Sequence, residues 1–111
     1  MANIYKNEKT SLTNTDLTTL YTVPSNSRAI VKSLLVTEDN AGAAVVKATL
    51  TNAAGTAFVV DNDINLSANQ KEQVLSEPLI MLENEVLQVT AADANRLFVT
   101  ASILEINRED R

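Results

Sequence analysis

Apolar and polar residues alternate with a period near two along most of the chain. Between positions 44 and 51, Ala44, Val46, Ala48 and Leu50 alternate with Val45, Lys47, Thr49 and Thr51. From 97 to 106 the run is denser. Leu97, Val99, Ala101 and Ile103 fall on one side; Phe98, Leu104 and Ile106 fall on the other, among Thr100 and Ser102. Successive side chains of a strand point to opposite faces, so each run puts one face in a core and leaves the other partly covered. Residues 29–37 read as a further strand, with Lys32 and Ser33 as its polar flank. The spacing predicts more strands over 17–23, 57–61, 73–76, 79–82 and 85–91. Residues 4–12 are weaker, an edge strand or an arm.

Turn signals separate these runs. Glu38-Asp39-Asn40-Ala41-Gly42 and Asn52-Ala53-Ala54-Gly55 use the chain's two glycines, each where a positive φ is wanted. Pro24-Ser25-Asn26-Ser27, Glu83-Asn84 and Ala92-Asp93-Ala94-Asn95 mark three more breaks. Thr and Asn number twelve each, which fits the division because Thr favours strands and Asn favours turns. About eight short strands at intervals of about ten residues predict an all-β fold, a single-domain antiparallel β-sandwich or jelly roll. Residues 1–12 form an N-terminal arm or edge strand and residues 13–111 the sandwich. Ser67-Ala68-Asn69-Gln70 has the look of a helix cap, but Pro78 limits any helix there to two turns. It is read as a turn leading into a strand.

Length sets the scale of the core. A chain of 111 residues and 12.0 kDa is one domain. Its folded surface should be roughly 6,000 Å², with about 65% of the open chain's surface buried. With no Cys and no His, disulfides, thiolate or imidazole metal sites and histidine-activated nucleophiles are ruled out. The net charge is −5, and the nine basic residues are scattered without a patch in the sequence. That balance argues against nucleic acid as a partner. No apolar run has the length of a signal peptide or a membrane span, so synthesis in a cytoplasm and no membrane partner are expected.

Few residues offer chemistry. Counted as a calcium loop from Asp61, Asp63, Asn65, Asn69 and Glu72 fall at ligand positions, but Leu66 stands where the bend needs Gly. A strand also precedes the loop in place of a helix, so a polar loop is the reading and no metal or cofactor is assigned. The carboxylate pairs Glu83 with Glu85 and Glu109 with Asp110 read as solvated surface charge. No Gly-x-Ser-x-Gly, Ser-x-x-Lys or phosphate-cradling glycine loop occurs, so no catalytic residue is assigned and no enzyme is expected. Sugar binding is the rival for a sandwich, yet only Tyr5, Tyr21, Phe58 and Phe98 are aromatic. Phe58 and Phe98 are expected in the core, and Tyr21 half-buried with its hydroxyl on water or backbone. Tyr5 either packs on its own domain or, with Ile4, anchors the N-terminal segment on a neighbouring subunit. Ile4 and Tyr5 are therefore the candidate partner-binding residues.

Two stretches carry a resemblance. Leu20-Tyr21-Thr22-Val23-Pro24-Ser25-Asn26-Ser27-Arg28-Ala29-Ile30-Val31-Lys32-Ser33-Leu34 and the ending Ala101-Ser102-Ile103-Leu104-Glu105-Ile106 resemble small virion-associated β-sandwich proteins of tailed bacteriophages, especially those of marine bacteria and cyanobacteria. The likeness runs from about residue 12 to 106, and the turn at Tyr21 to Pro24 is its defining element. It implies a structural component of a phage virion, similar to capsid decoration (cement) proteins that stabilise the head. The implied partners are the major capsid protein or other virion proteins and further copies of the chain, as a trimer; the implied location is the virion. A neck or tail accessory protein, or a host-glycan-binding module on a tail fibre, is the alternative.

Overall fold

The computed structural model describes residues 2–39, 44–75, 77–95 and 97–107, apart from the side chains of Ala2, Asn62 and Asp63. Among them run nine strands: β1 (Ala2–Leu12), β2 (Thr18–Thr22), β3 (Ser27–Glu38), β4 (Ala44–Thr51), β5 (Ala57–Leu66), β6 (Lys71–Gln73), β7 (Leu79–Met81), β8 (Val86–Ala91) and β9 (Leu97–Asn107). One sheet has the order β1-β9-β3-β6, with β7 also on β3; the other has the order β2-β8-β4-β5.

All pairings are antiparallel; outward from the β4–β5 hairpin, pairs join strands ever farther apart in the chain, β3 with β6 and β7, β2 with β8 and β1 with β9. One long ribbon of paired strands, folded over on itself, gives this order. The architecture is a jelly roll of eight strand positions. There are nine strands because β7 pairs Ala29–Val31 and β6 pairs Leu35–Thr37, two successive stretches of the same side of β3.

The core lies between the sheets. From β9 it takes Leu97, Val99, Ala101 and Ile103, all at most 2% exposed, as the alternation requires. Strand β3 contributes Ala29 and Val31, then Leu34 and Val36. The phase changes between these pairs because a bulge lies between Val31 and Ser33, and the extra residue restores the inward aim of the second half. A second bulge, between Thr19 and Tyr21, turns the consecutive Leu20 and Tyr21 of β2 both inward.

The Phe expectation fails. Phe98 is 48% exposed, because Leu97 and Val99 take the inner face and the residue between them must point out. Phe58 is 53% exposed, near the start of the edge strand β5 and beside the hairpin turn. The second glycine turn behaves as read. Gly55 has φ of 91°, in a hairpin where Asn52 Oδ1 accepts from the backbone N–H groups of Ala54 and Thr56. The Ser67–Gln70 segment is a turn, closed by the Gln70 N–H on the Ser67 carbonyl at 3.1 Å, and it leads into β6. Asn40, Ala41 and Gly42 of the other glycine turn lie outside the described residues. Glu38 does not belong to that turn; it is the buried last residue of β3.

Candidate interaction surface

Two features of the sheet β1-β9-β3-β6 distinguish this molecule from a bland sandwich, one on each face. On the inner face, Glu105 of β9 continues the phase of Leu97, Val99, Ala101 and Ile103 and is 7% exposed. Tyr21 crosses the gap from β2 in the other sheet and its hydroxyl donates to Glu105 Oε1 at 2.6 Å. Lys6 of β1 lies beside them, with Nζ 3.6 Å from Glu105 Oε1 and 3.1 Å from Glu8 Oε2, and 5.4 Å from the centre of the Tyr21 ring. Burial raises the Tyr21 phenol well above its ordinary range, and the hydrogen bond to the Glu105 carboxylate adds to it. The bond to Glu8 raises the Lys6 ammonium against a smaller opposing effect of burial. This group ties the two sheets together along their β1–β2 edge. A buried carboxylate that is hydrogen-bonded and ion-paired has no opening to a substrate.

On the outer face the pairing register lays side chains in rows across the strands. Tyr5 pairs Leu104, Leu104 pairs Ile30, and Ile30 pairs Ile80, so four apolar side chains cross β1, β9, β3 and β7 in one line. Tyr5 is 76% and Ile80 65% exposed, while Ile30 and Leu104 between them are half-buried. Arg28 and Lys32, both exposed, stand two residues before and after Ile30 on β3. Farther along the same face, Lys9 pairs Thr100 and Lys71 pairs Thr37. The described carboxylates of this sheet all avoid the outer face. Glu8 and Glu105 belong to the inner rows, Glu38 is buried at 1%, and Glu72 pairs the inward-facing Val36. An exposed apolar row rimmed by polar groups is the usual mark of a protein contact surface.

The two candidate partner-binding residues separate. Tyr5 lies in the outer row, whereas Ile4 pairs Glu105 on the inner side at the open edge and is 45% exposed. Neighbours on a strand face opposite ways, so they do not form one anchor. Tyr21 is only 4% exposed and donates to a carboxylate, not to water or backbone, so no ligand reaches it.

The polar stretch from Asp61 is strand, not loop. It belongs to β5, whose register with β4 shifts between Asp61, opposite Ala48, and Ile64, opposite Val46. Asn69 lies in the following turn and its N–H donates to Glu38 Oε1 at 2.6 Å, while Glu72 stands on the other sheet. No three acidic side chains converge as metal ligands among the described residues. Glu83 and Glu85 clamp turns instead of lying free in solvent: Glu83 Oε2 accepts from the Asn26 N–H at 2.9 Å and Glu85 Oε1 from the Leu82 N–H at 2.8 Å. Glu109 and Asp110 lie outside the described residues. The surface hollows are shallow. One of about 390 Å³ is lined by Ala44, Val45, Asn65, Leu66, Ser67 and Asp93, and another of about 360 Å³ by Val60, Asp61, Val74, Leu75, Glu77, Pro78 and Leu79. Neither brings together an acid, a base and a nucleophile.

Sequence reasoning missed the inward Glu38 and Glu105 and the continuity of the outer row. Alternation did carry the first signal, since Glu105 is in phase with Ile103 and Glu38 with Val36. The row needed the register between strands, which no single run contains.

No protein-family model matches the chain, and no curated protein matches it in sequence. Solved structures do. A chain from the infectious bursal disease virus Gx strain is similar over 99% of this chain and 32% of its own, with TM-score 0.52 and 13% identity. A mutant VP2 protein of infectious bursal disease virus, in derived T=1 particles, is similar over 95% of this chain and 32% of its own, with TM-score 0.50 and 11% identity. An endo-1,4-β-D-xylanase of Clostridium thermocellum matches more loosely, over 80% of this chain and 18% of its own, with TM-score 0.40 and 10% identity. This chain thus spans about a third of the length of the viral chains that it resembles. At these identities the likeness concerns the fold: the chain is an all-β jelly roll of the kind found in those two viral structures.

Proposed function

We propose that this protein is a non-enzymatic structural component of a virion, and specifically an oligomeric, trimeric decoration subunit that stabilises the head of a tailed bacteriophage by binding its major capsid protein. The observation that carries the reading, through its oligomeric part, is the outer face of the β1-β9-β3-β6 sheet, an apolar row across the whole width of the jelly roll that suits a neighbouring subunit. Such a face works by area and shape, and symmetric repetition over a shell multiplies contacts that are individually weak. The bacteriophage resemblance of residues 12–106 and the fold shared with particle-forming viral chains support the same reading; fold alone does not carry function. The buried polar groups support it from the other side, since Glu105, Tyr21 and Glu38 each serve the framework.

The test is a comparison of particles with and without the protein. Particles lacking it should release their DNA at lower temperature and lower ionic strength, and adding purified protein back should restore tolerance. Equal heat tolerance with and without it contradicts a stabilising role. Counting copies by quantitative mass spectrometry separates head from neck: hundreds per particle for a decoration subunit, about a dozen or fewer for a connector.

A further inference from the structure

The charge of the outer face runs against that of the molecule. The chain carries a net charge of −5, yet the outward positions of β1, β3 and β6 hold Lys9, Arg28, Lys32 and Lys71, and the described strand residues place no carboxylate beside them. Four positive charges on this face leave −9 for the remainder of the chain. One end of the sandwich shows the complementary pattern. There the connections after β1 and β8 lie side by side, joined by the Asn95 N–H on the Leu12 carbonyl at 2.8 Å. Leu17 projects from the first, 53% exposed and preceded by the exposed Asp16, and the second carries the exposed Asp93. Among the described residues the face is apolar flanked by cations, and the end shows Leu17 flanked by two anions; Arg96 of the same connection lies outside them.

We propose that the outer face of the β1-β9-β3-β6 sheet receives the Asp16–Leu17–Asp93 end of a second copy of this chain, in a head-to-tail contact that closes into a ring. Charge decides between the two ways in which copies can meet. Face against face, a twofold arrangement opposes Arg28 and Lys32 to their own counterparts, and like-charge juxtaposition is costly. Face against end, the same cations meet carboxylates, and a contact between two different patches closes as a ring when its rotation permits. The area suffices. Four strand positions at ~4.8 Å and eleven residues at ~3.4 Å give a face of roughly 700 Å², close to the ~800 Å² per partner of a standard interface. The contact rests on the oligomeric part of the function proposed above and not on the particle.

Charge reversal in solution tests it. Two variants are made, Arg28→Glu with Lys32→Glu, and Asp16→Lys with Asp93→Lys, all at exposed positions. Sedimentation should show the native chain as a ring, each variant alone as a 12.0 kDa monomer, and association restored on mixing the two. Circular dichroism melting checks that each variant is folded, and Arg28→Gln with Lys32→Gln replaces a variant that is not. A native chain that stays monomeric at high concentration overturns the proposal, as does an oligomer that survives both reversals or a mixture that stays monomeric. The particle is a separate matter. A ring that fails to bind capsids leaves this contact standing and removes the virion role, whereas binding to capsids as single copies does the opposite.

Discussion

Tyr21 and Glu105 meet at 2.6 Å between the two sheets, and Lys6 closes the group from the edge strand. Removing the hydroxyl with Tyr21→Phe deprives a buried carboxylate of its donor, which should cost about 1–3 kcal/mol in urea unfolding. The pH dependence has a fixed sign. The phenol holds its proton more tightly in the folded chain than at its ordinary value of 10.0, so the unfolded chain loses that proton first. Its contribution is complete below pH of about 10 and is lost as the pH rises beyond it. The raised Lys6 adds to stability in the same alkaline window. Between pH 8 and 11 the native chain should therefore lose more stability than Tyr21→Phe does; parallel curves would remove the proposed role of the pair.

The loops hold their shape through asparagine as much as through glycine. Asn26, Asn69, Asn84 and Asn95 all have φ between 59° and 66°, the left-handed region that other L-residues enter at a cost. Asn84 joins two connections. Its N–H donates to the Val23 carbonyl, the Val23 N–H donates to the Glu85 carbonyl, and the Ser25 hydroxyl donates to Asn84 Oδ1. The β2–β3 connection, with Val23 and Ser25, is thus braced by the β7–β8 turn; Tyr21 and Thr22, read as part of a turn, are the end of β2. Asn84→Gly should be close to neutral, while Asn84→Val should lower stability by roughly 1–2 kcal/mol, read as a shift of the thermal midpoint.

At this scale the alternation was a good guide. It placed β4 to the residue, and it found β3 and β9 within a few residues at each end, because one face of each strand had to be apolar. The bulge in β3 went unread, although the change of phase from Ala29 and Val31 to Leu34 and Val36 marks it. What alternation could not supply was the depth of each face. Phe98 sits in an apolar run, yet its exposure is set by Leu97 and Val99 on either side. Tyr21 went inward because of a bulge in β2 that no turn residue announces. Strand β1 was weak in sequence because its inner positions include Lys6, Glu8 and Thr10, so neither face is continuously apolar, although it pairs β9 along its full eleven residues. Deleting Lys32, the extra residue of the β3 bulge, should leave Leu34 and Val36 in phase with Ala29 and Val31 and opposite Ala101 and Val99, so a cooperative melt is the expected outcome and its loss would contradict this account of the bulge.

For the whole molecule, the jelly roll sets up a division of labour between two faces of one sheet. The inner face buries Glu105 and Glu38 within a fully hydrogen-bonded framework; among the described residues no buried side-chain polar atom lacks a partner. The outer face keeps its cations and its apolar row for contact. The folded surface of 6156 Å² matches the size expected of a 12.0 kDa chain. Sequence composition revealed that this surface had little chemistry to offer. It did not reveal that scattered basic residues come together on one face, since Lys9, Arg28, Lys32 and Lys71 meet only through pairings of β1, β3 and β6 with distant partners. The claim that this protein works by contact, as a repeated subunit of a particle, is tested most directly by cryo-electron microscopy of intact virions. The account predicts density for this fold in closed rings on the head, with the row from Tyr5 to Ile80 covered by a neighbouring copy. Virions without such density, or with single copies whose outer sheet faces solvent, would contradict it.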